Sequence, residues 1–540
     1  YNAGYFGRNT IVANVEGGHI WGGHEAFDRT GFLLPGSPAI SINATSNPVT
    51  SPDLGQLDFH ATMVGHVLAG TGSTGDGDLT LVGAGMAPFA TLWSGAIATT
   101  FDQDPDHTGE FEISDESFLL PYKTFFQGQL GQKPDVINSS WGFDDPSGTA
   151  KETRILDGLA AANPTVAFVK SAGNGGTDSA PGGPGSGYNG ITVGSLGGLT
   201  DANPFMRPSD FSSSKPADFF NPETNTTITG VRAAVSIAAP GEELFLAAYL
   251  GKSGSLASRA DIIGPDGNPA TDLYFVNAAG TSFSSPIVAG GVALLKDVSY
   301  GGAYLVGQPE ARDTRVIKSV LMAGAKATTG WDNGQHDVGG VITTTQALDY
   351  ATGAGALDLT SSVFIYVDGT TNVPGEGGGT IEGEGWDIGT VALGTGNNYF
   401  FDLSFDGHTE LTVSLNWFVE RVFNDATGDA TEQSFANLNL QVWSVTAGLF
   451  TNKVAESASL YNNSEFLRLL LPGAGSYGLR VTFDNVAYDL SHTLNSEKYA
   501  IAWTTSSVPE PGTWGAAIAL ALAVLVIQRR RRLPIAHRTR

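Results

Sequence analysis

The sequence predicts an α/β domain built on a parallel sheet, followed by an antiparallel β-sandwich or jelly roll. Over residues 9–360, short β-branched apolar runs alternate with stretches of helical spacing, as expected of strands covered on both faces. From Leu411 onward, alternating segments are separated by polar turns. A further signal closes the chain: 18 uncharged residues, Pro511–Gln528, run straight into Arg529–Arg532, the pattern of a transmembrane helix with its basic end in the cytoplasm.

In the first unit the strand candidates are Thr10–Val15, Ala90–Trp93, Asp135–Asn138, Val166–Val169, Ile191–Val193 and Ala234–Ala238. The helix candidates are His60–Ala69, Ile113–Gln129, Ala150–Ala162 and Ser284–Leu295. Pro286 is expected in the first turn of the last helix, where a missing N–H costs nothing, so Ser282 falls just ahead of it. The pattern changes near Gly353–Leu357, and Val373–Gly385 is mostly Gly, Glu, Thr and Pro. The expected organisation is therefore an α/β domain over 1–362, a connector over 363–386, a sandwich over 387–507 and a tail over 508–540. The sandwich strands are expected at Leu411–Phe418, Leu438–Val445, Phe466–Leu471, Ser476–Phe483 and Tyr499–Thr504.

Composition narrows the function. The 540 residues include 71 Gly, about twice the usual ~7%, without the three-residue period of collagen. Cys is absent, which excludes a disulfide scaffold, a thiolate metal site and a cysteine nucleophile. Residues 1–508 carry 22 basic and 53 acidic side chains, a net of −31, which repels phosphate backbones and makes nucleic acid an unsuitable partner. Tyr1 is not an initiator residue, so a secretory signal and a pro-segment are expected upstream.

Four short segments carry chemistry. Gly280-Thr281-Ser282-Phe283-Ser284-Ser285-Pro286 offers Ser282 at the positive end of a helix; its plain role is a cap, and as a nucleophile it needs a base. Asp58-Phe59-His60-Ala61-Thr62-Met63-Val64-Gly65 offers His60 as that base, or simply as a helix-start histidine. Ile11-Val12-Ala13-Asn14-Val15-Glu16-Gly17-Gly18 ends a strand on Glu16, a candidate third partner, with Asp58 the alternative acid. Ser171-Ala172-Gly173-Asn174-Gly175 offers the Asn174 amide to a developing oxyanion, although Gly-Asn-Gly also suits a turn. The order acid, His, Asn, Ser contains the acid–His–Ser order of subtilisin.

On these residues the chain resembles the subtilisin-like serine peptidases over roughly 9–360. Val15–Gly18 with His24–Phe27, His60–Gly65, Gly85-Met86-Ala87-Pro88, Asp135–Gly142, Ile191–Gly194, Ala238–Gly241 and Gly280–Pro286 all fall in the family's order. The resemblance implies Ser282 as nucleophile, His60 as general base and then acid, Asn174 and the Ser282 N–H as oxyanion donors, and an acyl-enzyme. It also implies that Ser140, Trp141 and Gly142, with Ser171, Ala172 and Gly173, hold an extended protein or peptide substrate by strand addition. Trp141 is expected to form a bulky wall near the specificity pocket. There are departures: Glu16 stands where the family has Asp, and Ala61 and Met63 replace a Gly and a second His. They motivate a rival reading, a catalytically impaired surface binding or structural protein. No cofactor is implied for the chemistry. Structural calcium is common among relatives, and Asp102, Asp104 and Asp106 are its weak candidates here, with Asp76-Gly77-Asp78 another acidic turn.

Leu411–Trp417, Leu438–Trp443 and Gly475–Val481 resemble the pre-peptidase C-terminal type of β-sandwich, which implies stability, targeting or surface binding. Val508-Pro509-Glu510-Pro511, an apolar helix and an arginine cluster resemble the PEP-CTERM sorting signal. That resemblance implies export in a Gram-negative bacterium, transient anchoring in the inner membrane and processing by an exosortase, with release to the cell envelope or outside.

Overall fold

The computed structural model describes residues 4–28, 37–44, 57–72, 83–101, 110–247, 262–263, 274–301, 305, 307–369 and 375–507. Seven strands form one parallel sheet: β1 (Ile11–Glu16), β2 (Ile40–Ile42), β3 (Thr91–Ala96), β4 (Val136–Ser139), β5 (Ala167–Ser171), β6 (Ile191–Gly197) and β7 (Ile237–Pro240). Their order is β7-β6-β5-β4-β1-β3-β2, every neighbouring pair is parallel, and Arg207–Pro208 adds an antiparallel edge to β6. Both faces are covered, so the strands read as apolar runs rather than alternations.

The helices that position the site are α1 (Phe59–Ala69), α2 (Asp115–Gln127), α3 (Lys151–Ala162), α4 (Thr281–Gly301), α5 (Thr314–Ala323) and α6 (Leu359–Asp368). Asp58 caps α1, Ser114 starts α2 with a capping box, and Asp313 and Asp358 cap α5 and α6. Satisfying the free N–H groups in this way fixes where each helix starts. The expected helix 113–129 is trimmed accordingly, because Ser114 caps it and Gly128, at φ +102°, ends it. The last parallel strand lies slightly later than the expected Ala234–Ala238.

One expectation is corrected. α4 starts at Thr281, so Ser282 lies within its first turn and Pro286 within the helix body. Proline has no N–H to give the carbonyl four residues back, which is that of Ser282. The Ser140 hydroxyl donates to that carbonyl instead, at 2.8 Å.

The C-terminal region is strand-rich and mostly antiparallel. Strands Gly385–Ala392, Thr409–Trp417, Ser464–Leu470 and Ser496–Ser507 form a four-stranded sheet. It faces a larger sheet centred on Asp429–Thr446 and Ser476–Asp489. Leu411, Val413, Leu415, Tyr499, Ile501 and Trp503 of the first sheet pack against Leu438, Leu440, Val442 and Val481 of the second. Alternation turns Ala500 and Ala502 the other way, into the core that contains Val316, Ile317 and Val320 of α5. The smaller sheet is thus buried on both faces. The larger sheet gains a strand from within the first unit, Val341–Thr344, which pairs in parallel with Leu449–Ser457.

The segment 363–386 carries the end of α6, strand Gly379–Ile381 and the start of Gly385–Ala392. No helix among the described residues is long and apolar enough to cross a membrane. The expected membrane helix, Pro511–Gln528, lies outside them, as do Asp102, Asp104, Asp106 and the Asp76-Gly77-Asp78 turn.

Candidate active site

Strand order reverses at β1, which has β3 on one side and β4 on the other. Open α/β sheets bind ligands in the crevice beyond the carboxyl ends of the strands at such a point. Glu16 ends β1, and Ser140 follows β4.

Glu16 is 1% exposed. Its Oε2 lies 3.2 Å from His60 Nδ1, and its Oε1 accepts the Ser140 N–H at 2.8 Å. His60 is the second residue of α1 and keeps 26% of its side chain exposed toward the cleft. Burial works to lower the pKa of the imidazole. The hydrogen bond and charge of Glu16, with the charge of Asp58, outweigh it and hold the group above the ordinary histidine value. Asp58 itself is occupied as a cap, accepting from the N–H groups of His60 (3.3 Å) and Ala61 (3.0 Å). Of the two candidate acids, Glu16 is the one beside Nδ1. Ala61 is wholly buried, and Met63 packs among Phe59, Val64, Phe275 and Phe283, so both departures fill core positions.

Ser282 is 8% exposed, and its Oγ donates to the Ser140 carbonyl at 3.1 Å. The two serines are therefore bonded reciprocally, hydroxyl to carbonyl in each direction. In the first turn of α4 the Ser282 N–H has no intrahelical acceptor. Asn174 Oδ1 accepts from Thr281 N (2.9 Å) and Thr281 Oγ1 (2.8 Å). A backbone N–H can only donate, so the oxygen of the amide must face Thr281, which leaves Nδ2 to donate. The strand-end turn that carries Asn174 passes through Gly173 at φ +99°, a backbone that glycine adopts without strain.

Two lobes of one cleft share Ser140, Trp141, Gly142 and Phe143. The lobe of about 370 Å³ brings together Ser282, Asn174, Ser140, Trp141, Gly142, Ser171, Ala172 and Gly173, all of them expected site residues. The lobe of about 720 Å³ holds Glu16 and His60 and is walled by Glu110, Phe111, Glu112 and Glu152. Trp141 is 9% exposed, stacks on Phe143 and donates its indole N–H to Tyr122 Oη at 2.8 Å, which fixes it as part of the wall. Among the described residues, no group of three or more His, Cys, Asp or Glu is placed to hold a metal.

Two buried asparagines, Asn14 and Asn138, support the site residues named from the sequence. Asn138 Nδ2 donates to Asn14 Oδ1 and to Ser140 Oγ, both at 3.0 Å, and its Oδ1 accepts from Ser285 Oγ at 2.7 Å. This fully buried amide ties β1, β4 and α4 together directly beneath the site. The available signal was an amide inside an apolar strand covered on both faces, where a polar side chain must find partners.

Residues 24–353 match the family Peptidase_S8, described as the subtilase family; Glu16 precedes the matched span. Solved structures that share similarity include the self-cleaved protease domain of PatA, 20% identical, covering 67% of this chain and 98% of that one, TM-score 0.42. The serine protease of Aeromonas sobria is 14% identical, covering 92% and 88%, TM-score 0.43. Fervidolysin from Fervidobacterium pennivorans, a keratinolytic enzyme related to subtilisin, is 17% identical, covering 86% and 67%, TM-score 0.44. No curated protein matches the sequence.

Proposed function

The chain belongs to the subtilase family and is a serine-type endopeptidase, and we propose that it cuts peptide bonds through an acyl-enzyme on Ser282 with Glu16, His60 and Asn174 as its machinery. The observation that carries this reading is the contact of His60 Nδ1 with a buried carboxylate, Glu16, at 3.2 Å, in the cleft that also exposes Ser282. A negative partner at Nδ1 keeps the proton there, so Nε2 is the basic nitrogen. An extended substrate lies along Ser140–Gly142 and Ser171–Gly173. As it enters, Ser282 Oγ turns from the Ser140 carbonyl to His60 Nε2. His60 takes the hydroxyl proton as Oγ bonds to the scissile carbon. Charge gathering on the carbonyl oxygen meets Asn174 Nδ2 and the Ser282 N–H. His60 then gives its proton to the leaving amine, and a water repeats the sequence to free the acid. Subtilases need no cofactor for these steps.

Labelling with a fluorophosphonate probe, wild type beside Ser282→Ala, tests the assignment. Labelling that vanishes in the variant supports it; labelling that persists moves the nucleophile elsewhere. A folded wild type that takes no label favours the binding-protein reading.

Export and sorting belong to the same proposal, resting on Val508–Pro511, the apolar run and Arg529–Arg532. In a host with the matching exosortase the tail is removed and the enzyme leaves the inner membrane. Intact mass of the exported form decides this: retention of residues 512–540 would mean a permanent anchor.

A further inference from the structure

We propose, on the peptidase reading of this cleft, that Tyr122 is a positioning residue for substrate selection, its hydroxyl fixing the Trp141 wall that both lobes share. Tyr122 itself lines neither lobe. It is fully buried on α2, one turn after Phe118, and the two rings lie 5.2 Å apart on the face turned toward Trp141. Its Oη accepts the indole N–H of Trp141 at 2.8 Å, the one donor that side chain has. The same Oη lies 2.6 Å from Ser139 Oγ, which belongs to the last residue of β4 and is likewise wholly buried.

Packing against rings is largely non-directional and lets an indole slide or tilt, whereas a hydrogen bond fixes its direction. Phe111 and Phe143 touch Trp141 but are half-buried and line the cleft themselves, so they give no fixed reference. Phe118 meets the indole edge-on at 6.2 Å and has no polar atom to offer. Tyr122 supplies the directional contact, and Ser139 anchors it to the strand that runs into Ser140. The wall is thus set from the same strand end that holds Glu16 and Ser282. Burial pushes the Tyr122 pKa up, so the phenol stays neutral and its bonds persist through mildly alkaline pH.

Tyr122→Phe keeps the ring and deletes the bond. The test uses two peptide anilides that differ only in carrying Phe or Ala next to the scissile bond. KM should rise about 3- to 10-fold for the Phe substrate, the worth of one buried hydrogen bond, and less than about 2-fold for the Ala substrate. The kcat values and the acid limb of the pH profile should not move, since no reacting group is touched. Ser139→Ala, which spares the indole bond, should leave both KM values unchanged, and in a Trp141→Phe background Tyr122→Phe should add nothing. Unchanged KM values in active Tyr122→Phe, an equal rise for both substrates, or the same rise without Trp141 would overturn the proposal. A folded wild type that takes no label at Ser282 would instead sink the peptidase reading. Should Tyr122→Phe not fold, exchange of the Trp141 indole proton in isotope-labelled wild type decides, the signal being assigned by its loss in Trp141→Phe. Slow exchange supports the bond, and exchange as fast as that of an exposed indole overturns it.

Discussion

Ser140 donates its backbone N–H to Glu16 Oε1 at 2.8 Å, so the segment that lines the cleft beside Ser282 also holds the carboxylate facing His60. The same residue exchanges hydroxyl–carbonyl bonds with Ser282. Glu16 and Ser282, the acid and nucleophile of the proposed machinery, are thereby referenced to one point at the end of β4.

Glu16 makes two bonds with two oxygens, and each variant loses something different. Glu16→Gln should fold yet lose about 10⁴ in kcat, because an amide no longer enforces the tautomer with the proton on Nδ1. Glu16→Asp draws the carboxylate back by about 1.5 Å and should retain measurable activity. Kinetics on a peptide anilide read both; Glu16→Gln equal to wild type would turn attention to Asp58.

The pH profile follows from His60. Glu16 and Asp58 hold its pKa above 6.5 in spite of burial, and the base must be neutral to accept a proton. The acid limb of kcat/KM should therefore fall above pH 6.5. In Glu16→Gln the residual activity should show that limb at lower pH, since the charge that favours the imidazolium is gone. A pH–kcat/KM series on both proteins checks the sign.

Ser140→Ala separates structure from charge. It strands the Ser282 carbonyl that Pro286 leaves without a partner, a cost of about 1–3 kcal/mol. The backbone bond to Glu16 survives, so the acid limb should not move. Denaturant melts and the pH profile, measured together, distinguish this from damage to the acid.

The larger lobe of the cleft should favour cationic substrates. Glu110, Glu112 and Glu152 line it, and none forms an ion pair among the described residues. Peptides with Lys or Arg on the acyl side should be cut about 2- to 5-fold faster than neutral analogues, and added salt should erase the difference. A peptide library at two salt concentrations, with Glu112→Gln beside wild type, measures it.

His66 should govern acid stability. Its Nε2–H donates to the Gly83 carbonyl at 2.7 Å and its Nδ1 accepts the Ala247 N–H at 2.9 Å, and burial pushes its pKa down to about 4. Between pH 4 and 6.5 the unfolded chain therefore binds a proton that the folded one refuses. Stability is full above 6.5 and falls by about 1.4 kcal/mol per unit as pH drops toward 4. Replacing the group with His66→Gln should flatten that slope in urea melts at successive pH values.

The order of strands and helices was legible because β-branched runs and small-residue helices have distinct periods, and Ser282, His60 and Asn174 stand in short, recognisable contexts. The start of α4 was not. A Pro normally marks a first turn, and only a side chain from β4's far end, Ser140, makes the sixth position tolerable. The bond from Asn138 to Asn14 spans 124 residues, a distance over which one sequence carries no pairing information. The placement of Ala500 and Ala502 against α5 was hidden for a related reason: alternation says that a strand has two faces, not that both are covered.

That double coverage bears on how such an enzyme survives its own activity. A strand of the first unit, Val341–Thr344, is woven into the large sheet of the C-terminal region, and the small sheet is wedged between that sheet and α5. A cut in the glycine-rich stretch near Gly375–Gly379 would sever the chain without parting its pieces, which would stay clasped like two hands with a finger through. The link can thus be a site of wear without being a point of failure.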